Sequence, residues 1–229
     1  MKTPSPDMIP IIQGTMTITY ILLVTTAVVI FIEALRHGAT SQISHMMNLE
    51  TAISVVATYF YSLFMEEFSK SEATNRPVDW DKITKYRYID WSITTPIMLL
   101  VLMLFMANHL NIPVKVGTYA LIVILNYIML FFGYLGETGG MDKTTGLLGG
   151  FAAFGLMYYV LYTKYIRPKF SLANSVLFWF YAIVWSLYGL IYTPLEDGYK
   201  VAGLNVLDVV SKCFVGLGLW AYYTKIMTL

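Results

Sequence analysis

Residues 202–227 read AGLNVLDVVSKCFVGLGLWAYYTKIM, an apolar run with Asp208 and Lys212 set well inside it. A helix needs about 20 mostly apolar residues to cross a bilayer, so this run is long enough to form a membrane span. Because the two charged residues stand four positions apart, a helix places them on one face, one turn from each other. The run therefore predicts a transmembrane helix that carries a carboxylate and an amine inside the membrane.

Six more apolar runs precede this one. The chain of 229 residues is 57% hydrophobic and only 13% charged, whereas about a quarter of the residues of a soluble domain are charged. The predicted spans are, in chain order, residues 11–35, 46–68, 83–106, 114–135, 144–165, 172–192 and 202–227. We expect an all-α membrane protein, a single seven-transmembrane-helix bundle over residues 1–229, with its termini on opposite sides of the bilayer.

The charge pattern excludes some partners. The net charge is +1, and no run of like charge offers a surface to nucleic acid, so we expect the lipid bilayer and no nucleic acid as partner. Lys and Arg outside the spans divide almost evenly between the two sides, and the positive-inside rule therefore does not orient the bundle. The single cysteine, Cys213, excludes an internal disulfide.

Five ionisable residues lie at least one turn inside the predicted spans, where an unpaired charge costs about 2.5–3.5 kcal/mol. They are Glu50, Arg87, Asp90, Asp208 and Lys212. On the third span, Arg87, Asp90 and Thr94 recur every three or four positions and form one polar stripe. If this stripe and that of the seventh span both face the interior, Lys212 meets two carboxylates and Arg87 balances the remaining charge.

Two interpretations of this cluster stay open. A structural ion cluster would fix the register of the helices. A functional cluster rests on the lysine, because burial favours its neutral amine, and a neutral amine condenses with an aldehyde to form a Schiff base. The joint arrangement favours an aldehyde cofactor on Lys212.

The residues that form the cluster also resemble those of the microbial (type 1) rhodopsins, and the resemblance runs across nearly the whole chain. The third span reads RYIDWSITTP at 87–96, which is similar to the counterion helix of that family. The seventh span reads LDVVSK at 207–212, which is similar to its retinal-attachment helix. Additional support comes from WSLY at 185–188 and from NYIM at 126–129, followed by Gly133.

The resemblance implies that Lys212 carries all-trans retinal as a protonated Schiff base. Asp90 would then be the primary counterion and proton acceptor, Asp208 the second counterion, and Arg87 a gate toward the outer exit. Thr94 would hydrogen-bond Asp90. The residues implied to enclose the polyene are Trp91, Thr95, Met98, Met129, Gly133, Trp185 and Tyr188.

Two further implications concern the side of the membrane on which the chain begins. Tyr61, or Tyr59 if the alignment is shifted, is implied to donate a hydrogen bond to Asp208. Glu196 and Asp197 fall in the loop before the seventh span, where pumps of this family keep an acidic proton-release group. An alternative interpretation of these two acids is a solvated turn.

The opposite half of the chain departs from the family pattern. Outward proton pumps carry a carboxylic proton donor seven residues beyond the position of Thr94, but here that position holds Val101. Glu50 is a candidate substitute, because it lies about three turns from Tyr61 in an apolar stretch and would face the third span near Val101. The same residue is alternatively a channel gate or an ordinary acid at the start of a helix.

The resemblance implies an ion-transporting photoreceptor and not an enzyme. We expect an outward light-driven proton pump, because Asp90 supplies the acidic acceptor that chloride pumps lack. The alternatives are a channel for protons or small cations and a photosensor acting through a partner. The family also implies an extracellular N-terminus, a cytoplasmic C-terminus and a homo-oligomer, a trimer or pentamer, for which Gly146, Gly149 and Gly150 permit close packing. The compact size is similar to that of small pumps and viral rhodopsins.

Overall fold

The computed structural model describes residues 5–36, 41–192 and 197–227, and these residues form seven helices and no strand. The prediction of an all-α seven-helix bundle is confirmed. The helices are α1 (Ile9–Ala34, after a 3-10 turn at Pro6–Met8), α2 (Ser41–Thr74), α3 (Trp80–Leu110), α4 (Val116–Glu137), α5 (Lys143–Leu161, continued by a π-helical turn at Tyr162–Ile166), α6 (Leu172–Leu190) and α7. The last of these, α7, consists of Asp197–Asp208, a π-helical segment Val209–Phe214 and Val215–Tyr223.

The helix ends alternate between the two sides of the bundle. At one side the start of α1 meets the end of α2, where Gln13 Nε2 donates a hydrogen bond to Glu72 Oε1 at 2.9 Å. At the other side the end of α3 meets the end of α7, where a ring nitrogen of His109 lies 2.7 Å from the hydroxyl of Tyr222. We call these the first side, on which α1 begins, and the second side.

The connection between α2 and α3 is shorter than the sequence predicts. The predicted spans leave residues 69–82 between them, but α2 continues to Thr74 and α3 already begins at Trp80. The side chain of Asp79 caps α3 by accepting a hydrogen bond from the Lys82 backbone N–H at 2.9 Å. Hydropathy cannot detect such ends, because polar residues beyond the hydrocarbon still form helical turns.

A similar cap starts α5 after the glycine-rich connection. The Asp142 carboxylate accepts hydrogen bonds from the backbone N–H and the hydroxyl of Thr145, at 2.9 and 3.0 Å. These bonds lower the pKa of Asp142, the bond from the backbone N–H being the larger cause.

In the described residues, six helices are long and apolar enough to cross a membrane, and α2 is the exception. Polar residues inside α2, including Glu50, Thr51 and Ser54, reduce its hydropathy. Glu50 and Ser54 are buried inside the bundle, whereas Val55 on the same helix is exposed on the outer surface. The polar residues therefore belong to the interior of a membrane bundle.

The glycines of α5 pack against α4 within the chain. A Cβ atom at Gly149 would lie 2.5 Å from the ring of Phe132, and one at Gly146 would lie 2.9 Å from the Phe132 carbonyl oxygen. A Cβ at Gly150 would meet the Met129 carbonyl oxygen at 3.6 Å. These small residues thus allow the close approach of α4 and α5, and they offer no separate support for an oligomer interface.

A π-helical segment interrupts α7 at Val209–Phe214 and contains Lys212. Segments of this kind are rare and frequently mark functional sites. The sequence predicts a regular α-helix here, because no residue type is specific for a π-helical turn. The face shared by Asp208 and Lys212 is nevertheless retained, since Lys212 Nζ lies 3.6 Å from Asp208 Oδ1.

Candidate functional site

Lys212 lies in the middle of the bundle with its amine between two carboxylates. The residue is only 2% exposed, and Asp90 and Asp208 are fully buried. Nζ of Lys212 donates to Asp90 Oδ2 at 2.6 Å, and it lies 3.6 Å from Asp208 Oδ1. The sequence-predicted stripes of α3 and α7 therefore do face each other, and α3 supplies the nearer carboxylate.

Asp208 receives hydrogen bonds from three other helices. Its Oδ2 atom accepts from the hydroxyl of Tyr61 on α2 at 2.8 Å and from Arg87 Nη1 on α3 at 3.3 Å. Its Oδ1 atom accepts from the hydroxyl of Tyr188 on α6 at 2.9 Å and from Trp91 Nε1 at 3.4 Å. Donors of this kind stabilise the ionised form of a buried carboxylate.

Asp90 is surrounded very differently. Its Oδ2 atom accepts from Lys212, but its Oδ1 atom is buried and has no hydrogen-bond partner among the described residues. Thr94 does bond Asp90, although through the backbone: the Thr94 hydroxyl donates to the Asp90 carbonyl oxygen at 2.9 Å. A threonine hydroxyl inside a helix commonly reaches the carbonyl four residues earlier, which explains why it does not reach the carboxylate.

The structure distinguishes between the two candidate tyrosines of α2. Tyr61 is fully buried and reaches Asp208, whereas Tyr59 is 59% exposed on the outer surface. Successive positions on a helix point about 100° apart, so a shift of two residues moves the ring from the interior to the lipid-facing side.

One cavity adjoins Lys212 and contains all seven residues that the sequence predicts around a polyene. They are Trp91, Thr95, Met98, Met129, Gly133, Trp185 and Tyr188. Gly133 allows the close approach of Tyr88, because a Cβ at this position would lie 2.8 Å from the tyrosine hydroxyl and the ring would have to shift. On the wall of the cavity, the Thr95 hydroxyl accepts a hydrogen bond from Asn126 Nδ2 at 2.8 Å, which ties α3 to α4.

These residues fit a long apolar aldehyde attached to Lys212. The amine opens into a cavity whose wall is mostly aromatic and aliphatic, which suits an apolar ligand. The unpartnered Oδ1 atom of Asp90 leaves room at the charged end for a further hydrogen bond. The two carboxylates and the apolar wall therefore suit a ligand that is positively charged at Nζ and apolar elsewhere.

Glu50 is buried in the half of the bundle toward the second side, but it points toward α1 and α7. The residue is 1% exposed, and its Oε2 atom would lie 3.1 Å from a Cβ placed on Gly216. Ile30 and Thr26 of α1 line the same position. The expected position of Glu50 facing α3 near Val101 remains a prediction. Gly216, four residues beyond Lys212, admits the carboxyl because it has no side chain.

Three residues of the polar interior are not among the site residues predicted from the sequence. Asn205 is fully buried, and its Oδ1 atom accepts a hydrogen bond from Arg87 Nη2 at 2.8 Å. Lys200 is also buried and donates to both carboxylate oxygens of Glu137, at 3.0 and 2.8 Å. The position of Asn205 three residues before Asp208 was a usable signal, because that spacing shares a helix face. Lys200 and Glu137 gave none, since both stand beside polar loop residues.

The acids expected in the loop before α7 cannot be placed in this site. Glu196 and the side chain of Asp197 lie outside the described residues.

A seven-helix bundle with a buried lysine, two buried carboxylates and an aromatic cavity defines a membrane protein that holds an apolar cofactor on an amine. A family model described as bacteriorhodopsin-like protein matches residues 12–226, and the chain belongs to this family, the microbial type 1 rhodopsins. The family implies a retinal bound to a lysine, which agrees with the two carboxylates and the apolar cavity beside Lys212.

Individual relatives support this assignment. The crystal structure of the viral rhodopsin OLPVRII is 42% identical and superposes with a TM-score of 0.85, covering 95% of this chain and 99% of that one. The green-light absorbing proteorhodopsin of Gamma-proteobacterium EBAC31A08 is 27% identical over 159 residues, 63% of either chain. Archaerhodopsin-2 of Halobacterium sp. (strain aus-2) is 28% identical over 149 residues, 58% of this chain and 54% of that one. The matched region thus spans less than two thirds of the length of these two relatives.

Proposed function

We propose that the chain is an outward light-driven proton pump in which Lys212 carries all-trans retinal and Asp90 accepts the proton held at Lys212 Nζ. The observation that carries this proposal is the 2.6 Å contact between Nζ and Asp90 Oδ2, two buried groups beside the cavity that Lys212 lines. Bound there, the chromophore supplies absorption of visible light and an isomerisation that displaces Nζ. The acidic acceptor favours protons over chloride as the transported ion.

The unequal surroundings of the two carboxylates support distinct roles. Asp208 is held by Tyr61, Tyr188 and Arg87, so it remains ionised as a fixed counterion. Asp90 has an oxygen without a partner and is free to take a proton. Proton transfer from Nζ to Asp90 neutralises an ion pair in a low-dielectric interior. The electrostatic free energy changes by several kcal/mol, and the helix packing responds to this change.

Glu50 is proposed as the residue that returns a proton to Nζ of Lys212. The usual donor position holds Val101, which is fully buried and cannot carry a proton. Among the described residues no cation pairs with Glu50, and an ionised carboxylate there would be an uncompensated buried charge. A protonated Glu50 therefore holds a proton beside Gly216, and Gly216 lies one turn beyond Lys212 toward the second side. The proton would return to Nζ from that side.

Photocurrents of the full chain in a planar membrane test the pump. With protons as the only permeant ion, we expect an outward current that keeps its sign when the membrane voltage opposes it. A current that reverses with voltage would instead identify a light-gated channel, and a visible band without current would identify a photosensor acting through a partner. Lys212→Ala should abolish the visible absorption band, because the other described lysine that lines the cavity, Lys200, is held by both carboxylate oxygens of Glu137.

The proposed donor has a matched control. Glu50→Gln should slow the return of the proton to Nζ by at least tenfold, measured as the decay of the blue-shifted photocycle state. Glu33 is a second buried glutamate toward the second side, but it pairs with Arg36. Glu33→Gln should leave that decay unchanged. Equal decay in wild type and Glu50→Gln would remove Glu50 as the donor.

The remaining parts of the proposal rest on the family. Residues 1–229 would form one retinal-binding domain with an extracellular N-terminus and a cytoplasmic C-terminus, so that the first side is the outer side. A homo-oligomer, a trimer or a pentamer, belongs to the same proposal. Mass measurement of the protein in lipid nanodiscs gives the number of chains directly.

A further inference from the structure

Asn205 connects Arg87 to two other helices, and every polar atom of its side chain is used. Its Oδ1 atom accepts from Arg87 Nη2 at 2.8 Å, and the Tyr61 hydroxyl, whose hydrogen goes to Asp208, lies 3.2 Å from the same oxygen. Its Nδ2 atom donates to the hydroxyl of Thr15 on α1 at 2.9 Å. Its backbone carbonyl accepts from the Thr19 hydroxyl at 3.2 Å. The residue is fully buried, so these contacts take the place of hydrogen bonds to water.

The hydrogen-bond partners fix which way the amide points. The guanidinium of Arg87 can only donate, so the oxygen of Asn205 must face it. On the other side, the hydroxyl of Thr15 donates its own hydrogen to the Ile12 carbonyl oxygen at 2.9 Å. Thr15 must therefore accept from Asn205, which only the amide nitrogen can provide. The amide joins α1 to α3 in one orientation.

Arg87 is held more closely by this amide than by the neighbouring carboxylate. The distance from Arg87 Nη2 to Asn205 Oδ1 is 2.8 Å, whereas the distance from Arg87 Nη1 to Asp208 Oδ2 is 3.3 Å. The guanidinium also lies over the ring of Phe64, with 5.0 Å to the centroid. The position of the positive charge is thus set by a neutral group, and Asp208 remains available to its tyrosine donors.

We infer that Asn205 is a positioning residue, which holds the charge of Arg87 beside the two carboxylates and thereby sets how readily Asp90 takes a proton. This inference deepens the proposed function and rests on Asp90 being the acceptor. The charged groups around Asp90 are Lys212 and Asp208 on α7 and Arg87 on α3, and Tyr61 and Tyr188 complete the network. Among these charges, Arg87 is the one that Asn205 contacts directly.

A double-mutant cycle on the retinal-loaded protein tests the inference. The readout is the pH midpoint of the change in visible absorption that accompanies protonation of Asp90, measured in wild type, Asn205→Leu, Arg87→Gln and the double variant. Release of Arg87 weakens the stabilisation of the ionised carboxylate. We therefore expect Asn205→Leu to raise the midpoint by about one pH unit, a tenfold change in proton affinity. In the Arg87→Gln background, the same substitution should cause no further shift.

The outcomes separate this inference from others. An unchanged or lowered midpoint in Asn205→Leu contradicts it, and so does an equal shift in the Arg87→Gln background, since Asn205 would then act without the arginine. If Asn205→Leu does not assemble, Asn205→Ala serves in the same cycle. If the midpoints of the four proteins agree with the double-mutant cycle but the wild type carries no photocurrent, the role of Asn205 stands and the pump proposal fails.

Discussion

Asp90 and Asp208 have the same side chain, the same burial and the same neighbouring amine, yet their hydrogen-bond partners differ. Asp208 accepts from groups on α2, α3 and α6, whereas Asp90 has Lys212 as its donor and one oxygen without a partner in the described part of the chain. Each donor that must be released opposes protonation of a carboxylate. At the scale of single residues, the difference in partners supports the two proposed roles.

Tyr61→Phe tests the fixed counterion. The change removes the hydroxyl that donates to Asp208 at 2.8 Å, a buried bond to a charged group worth about 1.5–3 kcal/mol. We expect a shifted absorption maximum and a lower thermal midpoint. Tyr59→Phe is the control, because that ring is exposed on the outer surface and should alter neither quantity. Equal behaviour of the two variants would contradict the assignment.

Gly216→Ala tests the access of Glu50 to α7. The added methyl group would lie 2.7 Å from Ile30 Cδ1 and 3.1 Å from Glu50 Oε2, so the ends of both side chains must shift. We expect the return of the proton to Lys212 to slow several-fold in flash photolysis. Gly218→Ala meets nothing within 4 Å and should retain the wild-type rate. Unaltered kinetics in Gly216→Ala would show that Glu50 does not act from this position.

At the scale of helices, an ion pair joins α4 to α7 near the first side. Lys200 Nζ donates to both oxygens of Glu137, and the same ammonium lies 6.0 Å from the centre of the Tyr192 ring. The Tyr192 hydroxyl in turn donates to the Gly133 carbonyl oxygen at 3.1 Å. Glu137, Tyr192 and Lys200 all line the cavity that adjoins Lys212. The pair thus forms part of the cavity wall at the end where α4 and α7 meet.

Glu137→Gln should destabilise the bundle. Removal of one partner from a buried ion pair costs about 3–5 kcal/mol, since Lys200 loses its bidentate carboxylate. We expect the thermal midpoint to fall by several degrees in detergent. Glu66→Gln is the matched control, because Glu66 pairs with Lys70 on the exposed surface, and exposed pairs contribute little. A similar fall of the thermal midpoint in both variants would argue against a stabilising role for the pair of Lys200 and Glu137.

At the scale of the whole molecule, the cavity lies between the helices that carry the charged cluster. Its lining includes Trp91 and Met98 from α3, Met129 from α4 and Trp185 from α6, with Lys212 from α7. Phe154 of α5 lines it as well, so a ligand that fills this space contacts five helices at once. Its binding should therefore stabilise the assembled bundle and not one helix alone.

The addition of all-trans retinal to the purified protein should raise its thermal midpoint. Any ligand that binds the folded state stabilises it, by about 2.7 kcal/mol at a hundredfold excess over Kd. In Lys212→Ala, where no covalent bond can form, we expect a much smaller increase, and each variant is compared with and without retinal. The same increase in both proteins would mean that the ligand does not depend on Lys212.

The sequence by itself predicted the seven helices. Hydropathy over about 20 residues identifies six of them in the described part of the chain without any knowledge of neighbours, and the second follows from its apolar run between polar breaks. It also brought Arg87, Asp90, Asp208 and Lys212 together. Helical spacing and the cost of unpaired charge in a membrane leave few other arrangements.

Only the tertiary structure decided which atoms meet. The bond from Thr94 to a backbone carbonyl, the approach of Glu50 to Gly216 and the anchoring of Arg87 by Asn205 depend on the rotation of each helix about its axis. The π-helical segment at Val209–Phe214 changes that rotation within α7. Spacing along one helix fixes a face, but it does not fix where the face points, since packing against the other six helices sets that direction.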